Sequence, residues 1–333
     1  MVCKYISLNL KKYCEKIICL NFSEELKINN FIDKIKNKEN LEILIGSGFS
    51  EHLAFQPLSI NKFDRGNTVK KHKLIKSEKF FRELRKHNIN IPEWSLTKPR
   101  SKKCLVKDFQ SFGGYMVYNY FLGKNLKDSE YYQEEIVGEH ISVQFFCDKL
   151  SIKILSICDQ YFKEDNLNPF IIETIVSKKV DSKIFEQIKK ICILIGSLFE
   201  LNGMNNLDLV LQNKTKKIFV IELNARPGLS TNMIYKIYNN IYNDTFLQNK
   251  NLISKFFFGT KIVYSNKRII IKKKKFEFIK SLRNNNNYSE LPINNQIIKI
   301  NEPICLIHKK SKKVEILREK LEKMSYKIIK NLN

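Results

Sequence analysis

Between Ser182 and Leu201, apolar residues return at the spacing of one helical face: Ile184, Ile188, Ile191, Ile195 and Leu198. This predicts a helix over 182–201, capped by Ser182 and ended by Gly203. The period then changes. Leu207–Leu211 and Ile218–Leu223 are short apolar runs separated by the polar stretch Asn213–Lys217, the pattern of a β-hairpin. Upstream, Ser77 starts a second helix with Glu78 in its first turn, Phe80, Phe81 and Leu84 as its buried stripe and Asn88 as its stop. Ile89–Pro92 then turns into an extended stretch. Leu105–Lys107 reads as a strand running into a loop with Gly113 and Gly114, and residues 131–147 read as two strands turning at Gly138. Nearer the N-terminus, Leu41–Ile45 is an apolar run closed by Gly46-Ser47-Gly48, a strand and tight turn of a small α/β unit. Beyond a helix near Asn232–Ile241, residues 259–309 read as short strands between polar turns, with Lys272–Lys275 as a solvated strand end. Lys312–Lys323 is a final amphipathic helix, and no internal repeat is visible.

The hairpin carries the chemistry. Its second strand ends in Ile218–Ser230, IFVIELNARPGLS, which places Glu222, Asn224 and Arg226 within five residues. Alternation along a strand puts Glu222 and Asn224 on one face. If the hairpin is symmetric about Thr215, Asp208 lies opposite Glu222 with Cβ atoms roughly 4.5–5.5 Å apart. Two carboxylates that close are costly to bury unless a cation lies between them. Two readings follow: a pair of surface acids on a solvated face, or a hard metal ion held by oxygen ligands beside phosphates. The flanking Leu, Val, Ile and Phe make a solvated face the less comfortable of the two.

Composition narrows the classes. The chain has 333 residues, 43% apolar, 11% aromatic and 28% charged, which suits two or three compact units with a sizeable core. No apolar run approaches the roughly 20 residues that span a bilayer, and lysines break every short apolar stretch of MVCKYISLNLKKYCEK, unlike a signal peptide. The eight cysteines are scattered without a CxxC pair, and several lie in Ile/Leu-rich stretches, which points to a reducing cytoplasm. The net charge of +25 would suit nucleic acid. Its lysines, however, run the whole length of the chain and rise together with Asn and Ile, as in an AT-rich genome, so nucleic acid is not the expected partner.

Taken in order, Lys107 on a strand, the Gly113–Gly114 loop, the strand QEEIVGEH, a long helix and the Asp208…Glu222-x-Asn224-x-Arg226 hairpin resemble the ATP-grasp superfamily of carboxylate–amine ligases. The resemblance covers roughly residues 70–245. It implies a mixed α/β (α+β) ATP-grasp fold in which two α+β subdomains grip ATP over 70–250. A small Rossmann-like α/β unit over 1–69 would precede it, and a small β-rich domain with a final helix over 259–324 would follow. By the same resemblance, Lys107 binds the α- and β-phosphates of ATP. Lys76 is the earlier nucleotide-contacting lysine, with Lys73 and Lys79 as neighbours in the alignment. Gly113 and Gly114 form the loop over the phosphates. Gln133, Glu134, Glu135 and Ile136 form the hinge that holds adenine. Asp208, Glu222 and Asn224 match the Mg²⁺ ligands, with Mn²⁺ as an alternative ion, and Arg226 matches the catalytic residue that steadies the transferring phosphoryl group. Where the family often grips the ribose with a glutamate, this chain has His140, with Glu139 beside it as the substitute.

The implied reaction uses ATP to convert a small-molecule carboxylate into an acyl phosphate, which an amine then attacks to form a C–N bond. No side-chain nucleophile is required, in keeping with the lack of a Ser/His/Asp or Cys/His arrangement in the sequence. GSGF near the start, YYQ, IELNARPG and the tail GTKIVYS…EPICLIHK are similar to ATP-grasp proteins associated with tetrahydromethanopterin or methanofuran-type cofactor biosynthesis in methylotrophs, which implies ligation of an amino acid such as glutamate. The tail is also similar to that of biotin-carboxylase-like members, although no biotin-attachment Met-Lys-Met is present. The competing readings are an ATP-binding protein without turnover and an RNA-binding protein. The acid, the amine and the oligomeric state are not written in the sequence.

Overall fold

The computed structural model describes residues 66–97, 104–120, 126–148, 151–231 and 255–333, less Gln110, Phe112 and Asn166, together with residues 2–3, 18–19, Asn30 and Ile234. The GSG turn at Gly46–Gly48 and most of the helix expected near Asn232–Ile241 lie outside the described residues. The chain divides into a larger unit, Ile28–Ile172 with Lys178–Thr231, and a smaller one, Met1–Lys27 with Glu173–Ser177 and Asn232–Asn333. Val2–Cys3 (β1) and Ile18–Cys19 (β2), in the smaller unit, pair in parallel.

The larger unit begins with two helices. In α1 (Val69–Ile75) the Thr68 hydroxyl accepts the Lys71 N–H and so satisfies one free donor of the first turn. In α2 (Glu78–Lys86) the predicted stripe of Phe80, Phe81 and Leu84 is buried, and Asn88, at φ 54°, lies just past the end. Ser77 precedes α2, but its hydroxyl donates back to the Leu74 carbonyl rather than capping the helix. Four short strands follow: β3 (Trp94–Ser95), β4 (Cys104–Asp108), β5 (Val117–Asn119) and β6 (Glu130–Glu134). They form an antiparallel sheet ordered β3-β6-β4-β5. Cys104, Val106 and Tyr132 fill one of its faces, packed with Tyr118, Tyr120 and Leu126. Leu105, Lys107, Tyr131 and Gln133 belong to the other face.

The next strands are β7 (Gly138–Cys147), β8 (Ile152–Phe162) and β9 (Ile172–Ser177), the last lying almost wholly in the smaller unit. Helix α3 (Ser182–Leu198) precedes β10 (Gly203–Gln212) and β11 (Ile218–Asn224). Within the larger unit the strand order is β11-β10-β7-β8, all antiparallel. Ile184, Ile188, Cys192 and Ile195 of α3 join Ile141, Val143 and Phe145 of β7, Leu207, Leu209 and Leu211 of β10, and the α2 stripe in one core. Burial of each large side chain there contributes about 1.5–3 kcal/mol. The cap of α3 is Asp181 rather than the predicted Ser182. Its carboxylate accepts the Ile184 N–H at 2.9 Å, which places an acidic group at the positive end of the helix. The left-handed residue after α3 is Glu200, at φ 46°, ahead of Gly203.

In the smaller unit, β12 (Phe257–Tyr264) pairs with β9. It is followed by β13 (Ile269–Ile270), α4 (Lys273–Leu282), β14 (Tyr288–Ser289), β15 (Ile297–Ile298), β16 (Pro303–Ser311) and α5 (Val314–Leu332). The strand order is β9-β12-β16-β14, with β13 and β15 a separate pair. Helix α5 packs on β12 and β16 through Leu317, Leu321 and Ile328. The Lys272–Lys275 run, expected as a strand end, opens α4, whose Ile279 and Leu282 are buried. A lysine run leaves backbone choice to its neighbours, and here the apolar residues after it decide.

Candidate active site

The β10–β11 hairpin forms in the predicted place, and Asp208 pairs with Glu222. It does so through an irregularity. Leu209 pairs with Val220, so one extra residue of β11, Ile221, is inserted before the Asp208–Glu222 pair. The bulge flips the parity of the strand. Ile218 and Val220 face the core on the turn side of it, whereas Leu223 and Ala225 do so beyond it. Glu222 and Asn224 are thereby placed on the opposite face with Asp208 and Asn206.

On that face the polar side chains join in one network. Lys76, next after α1, forms an ion pair with Glu222 and donates to Asn224 Oδ1 at 3.2 Å. Arg226 Nη2 donates to the same oxygen at 3.3 Å. Asn224 Nδ2 reaches Asp208 Oδ2 at 3.4 Å, and Asp208 Oδ1 accepts from Asn206 Nδ2 at 3.1 Å and Gln160 Nε2 at 3.0 Å. Ser142 donates to Asn206 Oδ1 at 2.9 Å. Lys107, only 5% exposed, donates to Gln133 Oε1 at 3.2 Å.

The charges feel one another. Burial, then the nearby Glu222 carboxylate, raises Asp208 to about 6. Burial would also raise Glu222, but the Lys76 ammonium, followed by Lys107, more than offsets it and holds the Glu222 carboxyl below its usual range. Lys107 is lowered by burial, with Glu222 acting the other way. The hard oxygens of Asp208, Glu222 and Asn224 suit a divalent cation such as Mg²⁺. Three cations (Lys76, Lys107, Arg226) around two carboxylates leave positive charge for an anionic ligand, and Gln133 Nε2 is a buried donor without a partner among the described residues. The residues therefore fit a metal–polyphosphate pair. Among the described residues, no group of three or more His, Cys, Asp or Glu side chains is arranged to hold a metal ion.

Residues 76–230, which contain every member of this network, match the family model of the ATP-grasp domain. Over that stretch the chain is similar to an ATP-grasp domain. Its fold is similar to that of the L-amino acid ligase from Bacillus licheniformis (14% identity, 94% of this chain and 86% of that chain covered, TM-score 0.71). It is also similar to the N5-carboxyaminoimidazole ribonucleotide synthetase from Thermotoga maritima (15%, 98% and 90%, 0.63). A third similar structure is the biotin carboxylase domain of the Hydrogenobacter thermophilus 2-oxoglutarate carboxylase, solved with MgADP, ADP and bicarbonate (12%, 97% and 83%, 0.70). At such identities the likeness establishes the fold. No curated protein matches the sequence.

The fold does not gather all of the expected residues into one group. Glu139 lies on the core face of β7, where Lys178 donates to it and to Asp159, each at 2.7 Å. His140 is on the site face, in an aromatic group with Phe162 and Phe170 at 4.9 and 5.4 Å between centroids. Glu134 ends β6 and donates its N–H to the Glu93 carbonyl at 2.7 Å, while Glu135 and Ile136 lie in the irregular link to β7, with Ile136 buried. Gly113 and Gly114 are both at positive φ; Gly113 is exposed, with its carbonyl accepting the Ile172 N–H at 3.2 Å, while Gly114 is half-buried against the Phe170–Ile171 backbone. Gln160, Asn206, Ser142 and Gln144 also belong to the network around the site, and none of them stands out in the sequence pattern. Gln144, fully buried, accepts from Ser230 Oγ at 2.7 Å and from the Gly228 N–H at 3.3 Å, which anchors the chain after Arg226.

Burial lowers His140 to about 4, with Glu135 acting in the opposite sense. Above pH 6.5 the imidazole is neutral folded or unfolded; as pH falls from 6.5 to about 4 only the unfolded chain takes the proton, so stability is lost across that window. In urea titrations, His140→Phe is expected to flatten the pH dependence between those limits by about 2–3 kcal/mol. Parallel profiles for the two proteins would show that His140 does not titrate in this way.

Proposed function

We propose that the protein is an ATP- and Mg²⁺-dependent ligase that activates a small-molecule carboxylate as an acyl phosphate and joins it to an amine. The observation that carries this reading is the convergence of Lys76, Lys107, Asp208, Glu222, Asn224 and Arg226, drawn from distant parts of the ATP-grasp domain, on one charged network. Asp208, Glu222 and Asn224 would hold the metal, which when bound neutralises phosphate charge. Lys76 and Lys107 bind the polyphosphate, and Arg226, fixed through Asn224 and the Gln144-anchored segment, steadies the phosphoryl group as it moves to the carboxylate. The carboxylate oxygen attacks the γ-phosphorus, ADP leaves, and the amine then displaces phosphate from the acyl carbon. Gly113–Gly114 and the segment from Gln133 to Ile136 supply the phosphate loop and the adenine edge, and the ribose contact falls to His140 rather than Glu139.

For the substrate pair we propose an amino acid such as glutamate and an amine of C1-carrier cofactor assembly, following the sequence resemblance of IELNARPG and the 259–309 region. The buried thiols Cys104, Cys147, Cys158, Cys192 and Cys305 suit a reducing cytoplasm. Among the described residues no helix is long and apolar enough to cross a membrane. The test is a panel of carboxylic acids, glutamate included, with ATP, Mg²⁺ and hydroxylamine. One acid is expected to give a hydroxamate in step with ADP release. ADP release indifferent to every acid, or ATP binding with no turnover on the panel, would remove the ligase reading.

A further inference from the structure

We infer that Lys76 is an internal counter-cation that closes the metal position until a polyphosphate draws it away, so that the site takes metal and nucleotide together and excludes free divalent cations. The inference rests on the assignment of Asp208, Glu222 and Asn224 as metal ligands and extends it to the order of binding.

Three observations lead there. Lys76 lies just after α1, and its side chain is only 8% exposed, so its ammonium is committed inward. It is bonded at once to Glu222 Oε1 and Asn224 Oδ1, the two oxygens that the second strand of the hairpin offers to a metal. Asp208, the third oxygen donor, takes its contacts from the neutral amides of Asn206, Gln160 and Asn224. The ammonium thus occupies the side of the site where charge is greatest. A divalent ion arriving alone would have to share the Glu222 carboxylate with Lys76 or expel it, and like charges at contact distance repel strongly in a partly desolvated site. Expulsion would leave a lysine beside Lys107 and Arg226, both already cationic and buried. A metal that arrives with a polyphosphate changes both terms, because the phosphate oxygens give Lys76 a new partner as the ion takes its old ones. Metal and nucleotide affinities are then coupled, and by linkage each raises the other equally.

The test uses Mn²⁺ as the probe, followed by loss of the free-ion paramagnetic resonance signal, with the full-length protein and its Lys76→Gln and Lys76→Met variants. The glutamine can still donate to Glu222 and guards against a folding defect in the methionine variant; thermal melts verify both. Without nucleotide, the wild-type protein is expected to bind Mn²⁺ at least ten times more weakly than either variant. With a non-hydrolysable ATP analogue present, the difference is expected to shrink or reverse. A ligand set that is merely incomplete without phosphate would leave all three proteins equally weak, and that result, or tight Mn²⁺ binding by the nucleotide-free wild type, would overturn the inference. Glu222→Gln in the Lys76→Gln background separates the two levels. Loss of the gained Mn²⁺ affinity supports the latch at this site, whereas gained affinity that survives places the metal elsewhere and removes the ligand assignment itself. If nucleotide-dependent Mn²⁺ binding needs Glu222 yet ignores the Lys76 substitutions, the metal site stands and the latch falls.

Discussion

Glu222→Gln is expected to reduce acid-dependent ATP turnover by about two to three orders of magnitude, the size of effect found when one preorganised charge partner is removed. The change keeps the shape of the side chain and removes its charge. In the native network that charge faces Lys76, with Lys107 and Arg226 also acting on it, and it is held ionised by them. The variant leaves three cations against the single carboxylate of Asp208, whose own protonation Glu222 no longer disturbs. Metal affinity is expected to fall with it. ADP release under saturating ATP, read beside a thermal melt, separates lost chemistry from lost fold; a folded variant within threefold of wild-type turnover would exclude Glu222 as a metal ligand.

Gly114→Ala is the second large effect, and it acts on the fold. At φ +82°, Gly114 adopts a backbone conformation that side chains rarely accept, and an added Cβ would lie 1.8 Å from the Phe170 carbonyl oxygen and 2.9 Å from the Ile171 nitrogen. No rotamer relieves a clash with backbone. Left-handed strain and overpacking together are expected to cost about 2–5 kcal/mol in urea unfolding, with lower apparent ATP affinity as the loop leaves its seat. Gly113→Ala is the control. Among the described residues its Cβ would meet only the Tyr115 ring at 3.6 Å, so it should cost about 1 kcal/mol, the price of the positive φ alone. Equal effects at the two positions would show that the loop is not held against Phe170–Ile171.

The parts of this architecture that sequence reveals are those built from neighbours along the chain. The α3 periodicity, the α2 stripe and the hairpin carrying Asp208 and Glu222 all depend on contacts within about twenty residues, and each was visible as a pattern. Lys76 was within reach only through resemblance, because its partner Glu222 is 146 residues away. Gln160 carried no signal of its own. It sits in β8, where Cys158, Asp159 and Tyr161 give no clean alternation, and only the sheet order brings it to Asp208. Asp181 and Ser182 are both good caps for α3, and only the backbone angle at Asp181 decides between them. Glu139 and His140 were separable in principle, since adjacent strand residues face opposite ways. The choice depended on knowing which face held the core.

The extra residue at Ile221 has a consequence for how the hairpin tolerates change. Between the turn and the bulge, pairing is dictated by loop length; beyond it, the strand runs in a different phase, tied to Leu223 and Ala225 in the core. The acids therefore take their direction from the buried residues beside them and not from the exposed turn at residues 213–217. Sequence drift in that turn can proceed without rotating Glu222 or Asn224. Loss of a single residue at the bulge would exchange the two faces of β11, sending both into the apolar interior.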